Sequence, residues 1–102
     1  YGAKVRFVVK TAFAGTASIE SGSAADVMLG HALMGNDTNN SVVDWPATIG
    51  DGYNKIDLFG TANSTGGMAG QSIEITILGA NLFYVEIRGD AAGTEATPFV
   101  AT

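Results

Sequence analysis

The sequence predicts an all-β domain, an antiparallel β-sandwich or barrel. Three observations predict it: short runs alternate apolar and polar residues with the period of two of a half-buried strand, glycine-rich turns separate these runs, and no segment has the apolar spacing of a convincing amphipathic helix. The chain has 102 residues, with neither an internal repeat nor a linker. We therefore expect residues 1–102 to form a single domain with an extended C-terminal tail from about residue 90.

The N-terminal segment carries a clear strand pattern. Over residues 4–11, Val5, Phe7 and Val9 alternate with mostly charged positions, which predicts a strand with one buried face. A second strand is expected over residues 16–20, before a serine- and glycine-rich turn.

The middle of the chain is more ambiguous. Residues 24–34 fit neither period cleanly, and a central glycine costs a helix about 1 kcal/mol relative to alanine. We predict a strand with a bulge or bend at Gly30, with a short helix as the alternative. Residues 35–40 are predicted to be loop, and the segment around Trp45 extended, because the residue before a proline avoids the helical region.

The C-terminal half contains the strongest strand signals. Residues 53–59 alternate as a strand does, and residues 60–70 read as a surface loop or a contact arm. Residues 72–78 and 82–88 predict a hairpin joined by a tight connection. One face of this hairpin is expected in the core: Ile73, Ile75, Ile77, Phe83, Val85 and Ile87.

Charge and composition exclude several functions. The net charge is −5 with only five basic residues, which argues against a nucleic-acid partner. The absence of cysteine excludes disulfides, thiolate catalysis and cysteine-ligated zinc. No apolar run approaches the roughly 18 residues of a membrane-spanning helix. The carboxylates are scattered and surround no catalytic signature, so we expect no enzyme activity, no catalytic residues, no cofactor and no metal.

Several residue sets are candidates for chemical sites, and each also has a simpler structural role. His31 could be a base or a ligand but lacks a partner at metal-ligand spacing, and Asp51 with Asp57 could form a carboxylate pair but both flank a strand. The glycines at 66 and 67 are followed by no phosphate-binding motif. Two further candidates are a calcium loop of Asp37, Asn39, Asn40 and Asp44, and a sugar-stacking pair of Trp45 and Tyr53.

Two segments resemble a known family. The run VRFVVKTAFAGTASIE at residues 5–20 is similar to an early strand of the small jelly-roll cement, or decoration, proteins of tailed bacteriophage heads. The run ITILGANLFYVEIRG at residues 75–89 resembles their late strand pair. The two segments cover about a third of the chain. The resemblance implies a jelly-roll-like sandwich on the outer surface of the virion, bound across capsomers to the major capsid protein, with no catalytic residues.

These observations predict a structural capsid subunit that works as a homo-oligomer, with a trimer favoured. The alternative is a carbohydrate- or receptor-binding β-sandwich of a fibre or adhesin, which an exposed platform around Trp45 would favour. The late strands carry few of the lysines and prolines that protect sheet edges, so a neighbour is expected to cover an edge. The predicted contact elements are the N-terminal strand, the loop at 60–70 and the tail. The candidate interface residues are Lys4, Arg6, Lys10, Trp45, Met68, Phe99 and Val100.

Overall fold

Eight strands account for nearly all the regular structure of the computed structural model, which describes residues 2–12, 14–23, 25–36, 42–59, 63–92 and 95–102. The one helical element among these residues is a 3₁₀ turn at Ile49–Asp51. The all-β prediction is confirmed. The strands are β1 (Lys4–Val8), β2 (Ala17–Glu20), β3 (Val27–Asn36), β4 (Val42–Ala47), β5 (Lys55–Leu58), β6 (Ser72–Gly79), β7 (Leu82–Ala91) and β8 (Phe99–Val100).

The strands form two sheets. The larger has five strands in the order β1-β6-β7-β3-β4, and the smaller has three in the order β2-β5-β8. Strand β3 pairs with β7 in parallel, and the other pairings are antiparallel. The expectation of a wholly antiparallel sandwich is therefore corrected at this one pair, and the larger sheet is mixed. A parallel pair requires a crossover connection, which departs from the all-antiparallel pairing of a jelly roll.

Side chains from both sheets meet in one core. Fully buried residues of the larger sheet include Met34, Ile73, Val85 and Ile87, and Ile56 of the smaller sheet is equally buried. Because strand side chains alternate between faces, each strand contributes every second residue. Burial of the predicted hairpin face is confirmed at Ile73, Val85 and Ile87, away from the turn. Its other members are half-buried: Ile75, Ile77 and Phe83.

The hairpin of β6 and β7 turns where the sequence predicts a tight connection. Asn81 has a φ of 59°, a left-handed conformation that asparagine tolerates better than most residues. Both strands are interior in the sheet order, so their lack of protective lysine or proline leaves no edge exposed. The composition of these two strands is therefore no reason to expect a neighbour, because the edges of the larger sheet are β1 and β4.

Gly30 lies within β3, and the short-helix alternative for this segment is wrong. Its φ is 138°, and a Cβ there would overlap the backbone carbonyl oxygen of Val85 on the adjacent parallel strand. A bulge at Gly30 is not observed, because the pairing with both neighbouring strands runs through this residue without a register shift. This glycine instead permits a close approach of two backbones. Strand β3 continues to Asn36, so the start of the expected loop at 35–40 is extended instead.

The C-terminal segment is part of the sandwich. Strand β7 continues past residue 90 to Ala91, and β8 pairs with β5. Phe99 is only 2% exposed and stacks on Tyr53 with ring centroids 5.7 Å apart. The Thr102 hydroxyl donates a hydrogen bond to Asn54 Oδ1 at 2.9 Å. The expected extended tail from about residue 90 is thus corrected, because Phe99 is an apolar anchor that completes the core.

Candidate interaction surface

The smaller sheet is too narrow to cover the larger one, which leaves a groove along one side of the sandwich. Strand β2 is the edge of the smaller sheet on this side, and β1 is the edge of the larger sheet. The groove between them has a volume of about 390 Å³. We call it the open seam, and it is lined by Phe7, Val8, Val9, Lys10, Thr11, Ala17, Ser18, Ile19, Leu58 and Ile73.

Apolar side chains remain exposed at the open seam. Val5 is 50% exposed, Phe7 43% and Val8 61%, whereas Ile73, the register partner of Phe7 on β6, is 1% exposed. Adjacent apolar side chains on an edge strand are unusual on a free surface and typically mark an interaction site. On the predicted inward face, the second sheet does not reach Val5 and Phe7, whereas Val9, just past β1, is buried. Val8 points to the opposite face.

The β2 edge beside the seam carries unpaired backbone groups. The amide of Ser21 donates to the carbonyl of Asn54, and β2 and β5 keep one register, so residues 17 and 19 direct their backbone groups at β5. The backbone groups of Ser18 and Glu20 therefore point to the free edge. A row of free N–H and C=O groups beside an apolar groove is a template for strand pairing.

The cations of the chain divide into paired and unpaired sets. Lys55 Nζ lies 3.4 Å from Glu20 Oε1 and 3.5 Å from Asp57 Oδ1, and the Asp57 charge followed by the Glu20 hydrogen bond raises the pKa of Lys55 above its ordinary value. Lys4 pairs with Glu74, and Arg88 with Glu86. Arg6 on β1 and Lys10 at the seam form no ion pair with any carboxylate in the described residues.

The structure separates the predicted interface residues into two groups. Lys4, Arg6 and Lys10 are exposed along β1 and just beyond it. Trp45, Met68 and Val100 are half-buried at other places in the fold, and Phe99 is in the core. The N-terminal strand is therefore the one predicted contact element whose described residues are largely exposed.

The loop at 60–70 is packed into the fold over the part that the structure describes. Thr65 is 8% exposed, and Gln71, just after the loop, is fully buried. The Gln71 side-chain oxygen accepts a hydrogen bond of 2.6 Å from the Gly67 amide. Residues 63–67 therefore do not form a projecting contact arm, and residues 60–62 lie outside the described residues.

The two aromatic residues considered for sugar stacking point into the protein. Trp45 is opposite the fully buried Ala32 and packs against the core, as Tyr53 does. Trp45 Nε1 is buried without a hydrogen-bond partner in the described part of the chain. These rings form no exposed platform, so the observation that would favour a carbohydrate-binding module is not met.

The residues weighed for acid, base or metal chemistry do not converge. His31 Nδ1 lies 3.1 Å from Asp44 Oδ1 on the exposed outer face of the larger sheet. Asp51 Oδ2 accepts a hydrogen bond from the Thr48 amide at 2.9 Å, and Asp57 Oδ1 accepts one from the Ser18 hydroxyl at 2.6 Å. Asp51 and Asp57 therefore each accept a local hydrogen bond, and the two carboxylates do not form a pair.

Neither a metal centre nor a membrane helix is found in the described residues. No group of three or more histidine and carboxylate side chains is arranged to hold a metal there. Three members of the proposed calcium loop, Asp37, Asn39 and Asn40, lie outside the described ranges. No helix within the described ranges has the length and apolarity to cross a membrane.

Sequence reasoning missed most of the seam. Ile19, Leu58 and Ser18 line it, and nothing in their spacing distinguishes them from ordinary sandwich residues. One signal was available: Val8 is apolar although it alternates with the inward-facing Phe7 and Val9, so both faces of the strand end are apolar.

The chain matches no family model, no curated protein sequence and no solved structure.

Proposed function

We propose that this chain is a structural subunit that attaches to the outer surface of an assembled bacteriophage head, binds across neighbouring copies of the major capsid protein and stabilises the head. The observation that carries the proposal is the open seam, an apolar groove at an edge of the sandwich that a partner must cover. The sequence resemblance to capsid cement proteins supports the choice of a capsid as that partner. In this role the chain needs no catalytic residue and no cofactor.

The stabilisation would arise by mass action. A subunit that binds only the assembled lattice lowers the free energy of that state by its binding free energy. Several subunits linked around one symmetry axis add avidity, because each further contact is intramolecular. We propose a homo-oligomer, most simply a trimer, and sedimentation velocity of the purified chain measures this directly.

Co-sedimentation with empty heads of the virus that encodes the chain tests the proposal. We expect the wild-type chain to pellet with assembled heads and not with dissociated capsid protein. Saturated heads should also resist heating better than bare heads. Failure to pellet with heads, or equal binding to dissociated capsid protein, would contradict the proposal.

Two matched variants test whether the seam is the contact. Phe7→Ala removes an apolar side chain that is 43% exposed at the seam, and Leu33→Ala removes one that is 36% exposed on the outer face of β3. Because both positions are partly exposed, both variants should fold. We expect only Phe7→Ala to weaken head binding, by about tenfold, which corresponds to about 1.4 kcal/mol. Equal effects of the two variants would place the contact elsewhere.

A further inference from the structure

We propose that the open seam is an acceptor site for one extended, acidic strand of the partner protein, which adds to the free edge of β2 as a fourth strand of the smaller sheet. This inference rests on the proposed function for the identity of the partner protein, but the acceptor site itself is argued from geometry and charge. The alternating side chains of the incoming strand would divide between the groove and the solvent.

The position of the missing strand follows from the arrangement of the two sheets. The inner face of the larger sheet is covered at Ile73 and Ile87, but Ile75, nearer the hairpin turn, is only half-buried. On β1, Val5 and Phe7 are half-exposed. A strand hydrogen-bonded to the outward backbone groups of Ser18 and Glu20 would lie over β1. Its inward side chains would fill the groove of about 390 Å³ and cover Phe7.

The second pocket on this side extends the same site. A hollow of about 220 Å³ is lined by Ile19, Glu20, Ser21, Gly22, Met28, Ile75 and Phe83. Ile19 of β2 lines both hollows, so they follow the edge of this strand from one end to the other. A run of apolar hollows along a strand edge matches an extended chain with alternate apolar side chains.

Charge selects an acidic segment as the occupant. Lys10 is the one charged residue that lines the groove, and it forms no ion pair in the described part of the chain. Arg6 is not part of this site, because it faces the outer side of β1 opposite Glu74. No carboxylate of the described residues lines the groove, and Glu20 at the second hollow is already paired with Lys55. A carboxylate on the incoming strand would therefore meet an unpaired ammonium group at the rim.

The same charges disfavour a second copy of this chain in a two-fold contact. A two-fold axis through the seam would bring the β1 edge of one copy to that of the other, and with it Lys10 from both. Like charges brought together at an interface without compensating carboxylates oppose association. A separate acidic strand avoids this repulsion.

Binding of short synthetic peptides tests the proposal by titration calorimetry and by amide chemical shifts of the labelled chain. The probes are a peptide of alternating glutamate and valine, a lysine–valine counterpart, and a scrambled glutamate–valine peptide of the same composition. We expect only the alternating acidic peptide to bind, with shifts confined to β2 and β1 and with affinity that falls as salt rises. Dodecanoate serves as an amphiphile control. Equal binding of the scrambled peptide, or tight binding of dodecanoate alone, would overturn strand addition.

Variants of β2 and the seam separate strand addition from simple apolar contact. Ser18→Pro removes an outward N–H, and Ser18→Ala loses the same side-chain hydrogen bond to Asp57 but keeps the N–H. We expect Ser18→Pro to abolish peptide binding and Ser18→Ala to retain it, with both melting as folded proteins. Lys10→Glu should lower the affinity for the acidic peptide about fivefold at low salt. Retained binding by Ser18→Pro would overturn the proposal.

The same variants keep the two proposals distinguishable. If Phe7→Ala loses head binding while Ser18→Pro and Lys10→Glu retain it, the capsid function stands and strand addition fails. If the chain binds the acidic peptide but not heads, the acceptor site stands and the capsid function fails. A dimer in sedimentation velocity that Phe7→Ala dissociates would show that a second copy occupies the seam, which contradicts the proposal.

Discussion

Two ends of one row of side chains across the larger sheet differ sharply in burial. The row runs from Phe7 on β1 through Ile73 and Ile87 to Ala32 on β3. Phe7 is 43% exposed, and the three residues that follow it are between 0% and 1% exposed. All four are apolar residues on the inner face, so their own chemistry does not explain the difference.

The difference arises from what lies above each residue. The smaller sheet has three strands and covers the middle of a five-stranded sheet, so its β2 edge ends before β1. A side chain on an inner face gains the hydrophobic free energy of burial only if the second layer reaches it. The covered middle therefore stabilises the fold, and the uncovered β1 side remains available to a partner. The predictions below test this division.

The largest expected effect comes from removing the C-terminal strand on the covered side. Deleting residues 97–102 removes β8 and the buried Phe99, which stacks on Tyr53. We expect the truncated chain to lose its cooperative thermal transition, because a domain of this size has a total stability of only about 5–15 kcal/mol. Circular dichroism melting and urea unfolding measure whether the cooperative transition is lost.

Phe99→Ala is the milder test of the same strand, and we expect it to lower the free energy of unfolding by about 3–5 kcal/mol. Deleting residues 101–102 alone should cost about 1 kcal/mol, since it removes two hydrogen bonds from Thr102 to Asn54. A truncated chain that melts like the full chain would show that the tail is a contact arm after all.

The next largest effect is expected at Gly30, where β3 approaches β7 most closely. Gly30→Ala places a Cβ against the Val85 carbonyl at a backbone angle that favours glycine. Overpacking and backbone strain together should cost more than about 3 kcal/mol. Gly50→Ala is the control, because a Cβ at Gly50 meets no atom within 4 Å. Urea denaturation that ranks the two variants equally would show that the parallel pair can separate.

A smaller and paired effect compares the exposed end of the row with a residue of its buried part. Ile87→Ala on the covered side should cost about 2–5 kcal/mol, the transfer free energy plus a cavity. Phe7→Ala removes a larger side chain but should cost less than about 1 kcal/mol, because much of the ring is already in water. Chemical denaturation of both variants gives the ratio of the two losses in the free energy of unfolding. Similar losses would show that a second layer covers β1 in solution.

The strand pattern of the sequence was enough to predict the class and the hairpin, but not the layers. Alternation predicts which residues share a face of β6 and β7, since the period of two is a local property. It carries no information on whether Val5 is covered, because that depends on the width of a sheet formed by distant segments. The sequence pattern did not predict the parallel pairing of β3 with β7 for the same reason.

The tail shows a second limit of local reasoning. Residues 90–98 contain alanine, glycine and threonine, and their composition resembles that of a loop. This composition predicts that Phe99 and Val100 are anchors for a partner, whereas Phe99 anchors the chain to its own core. A short strand of two residues has no period, so only its long-range pairing with β5 identifies it.

The smallest expected effect is electrostatic and compares a paired with an unpaired lysine. The pKa of Lys55 is raised from 10.5, first by the Asp57 charge, so its ion pairs stabilise the fold fully below its unfolded pKa. This contribution is lost as the pH rises through the raised pKa. In urea unfolding from neutral to alkaline pH, Lys55→Gln should therefore show a shallower loss of stability than the wild type. Lys10→Gln, which removes a lysine with no ion pair in the described residues, should keep the wild-type slope. If both variants flatten the alkaline loss equally, the ion pairs of Lys55 with Glu20 and Asp57 do not hold the edge of the smaller sheet in solution.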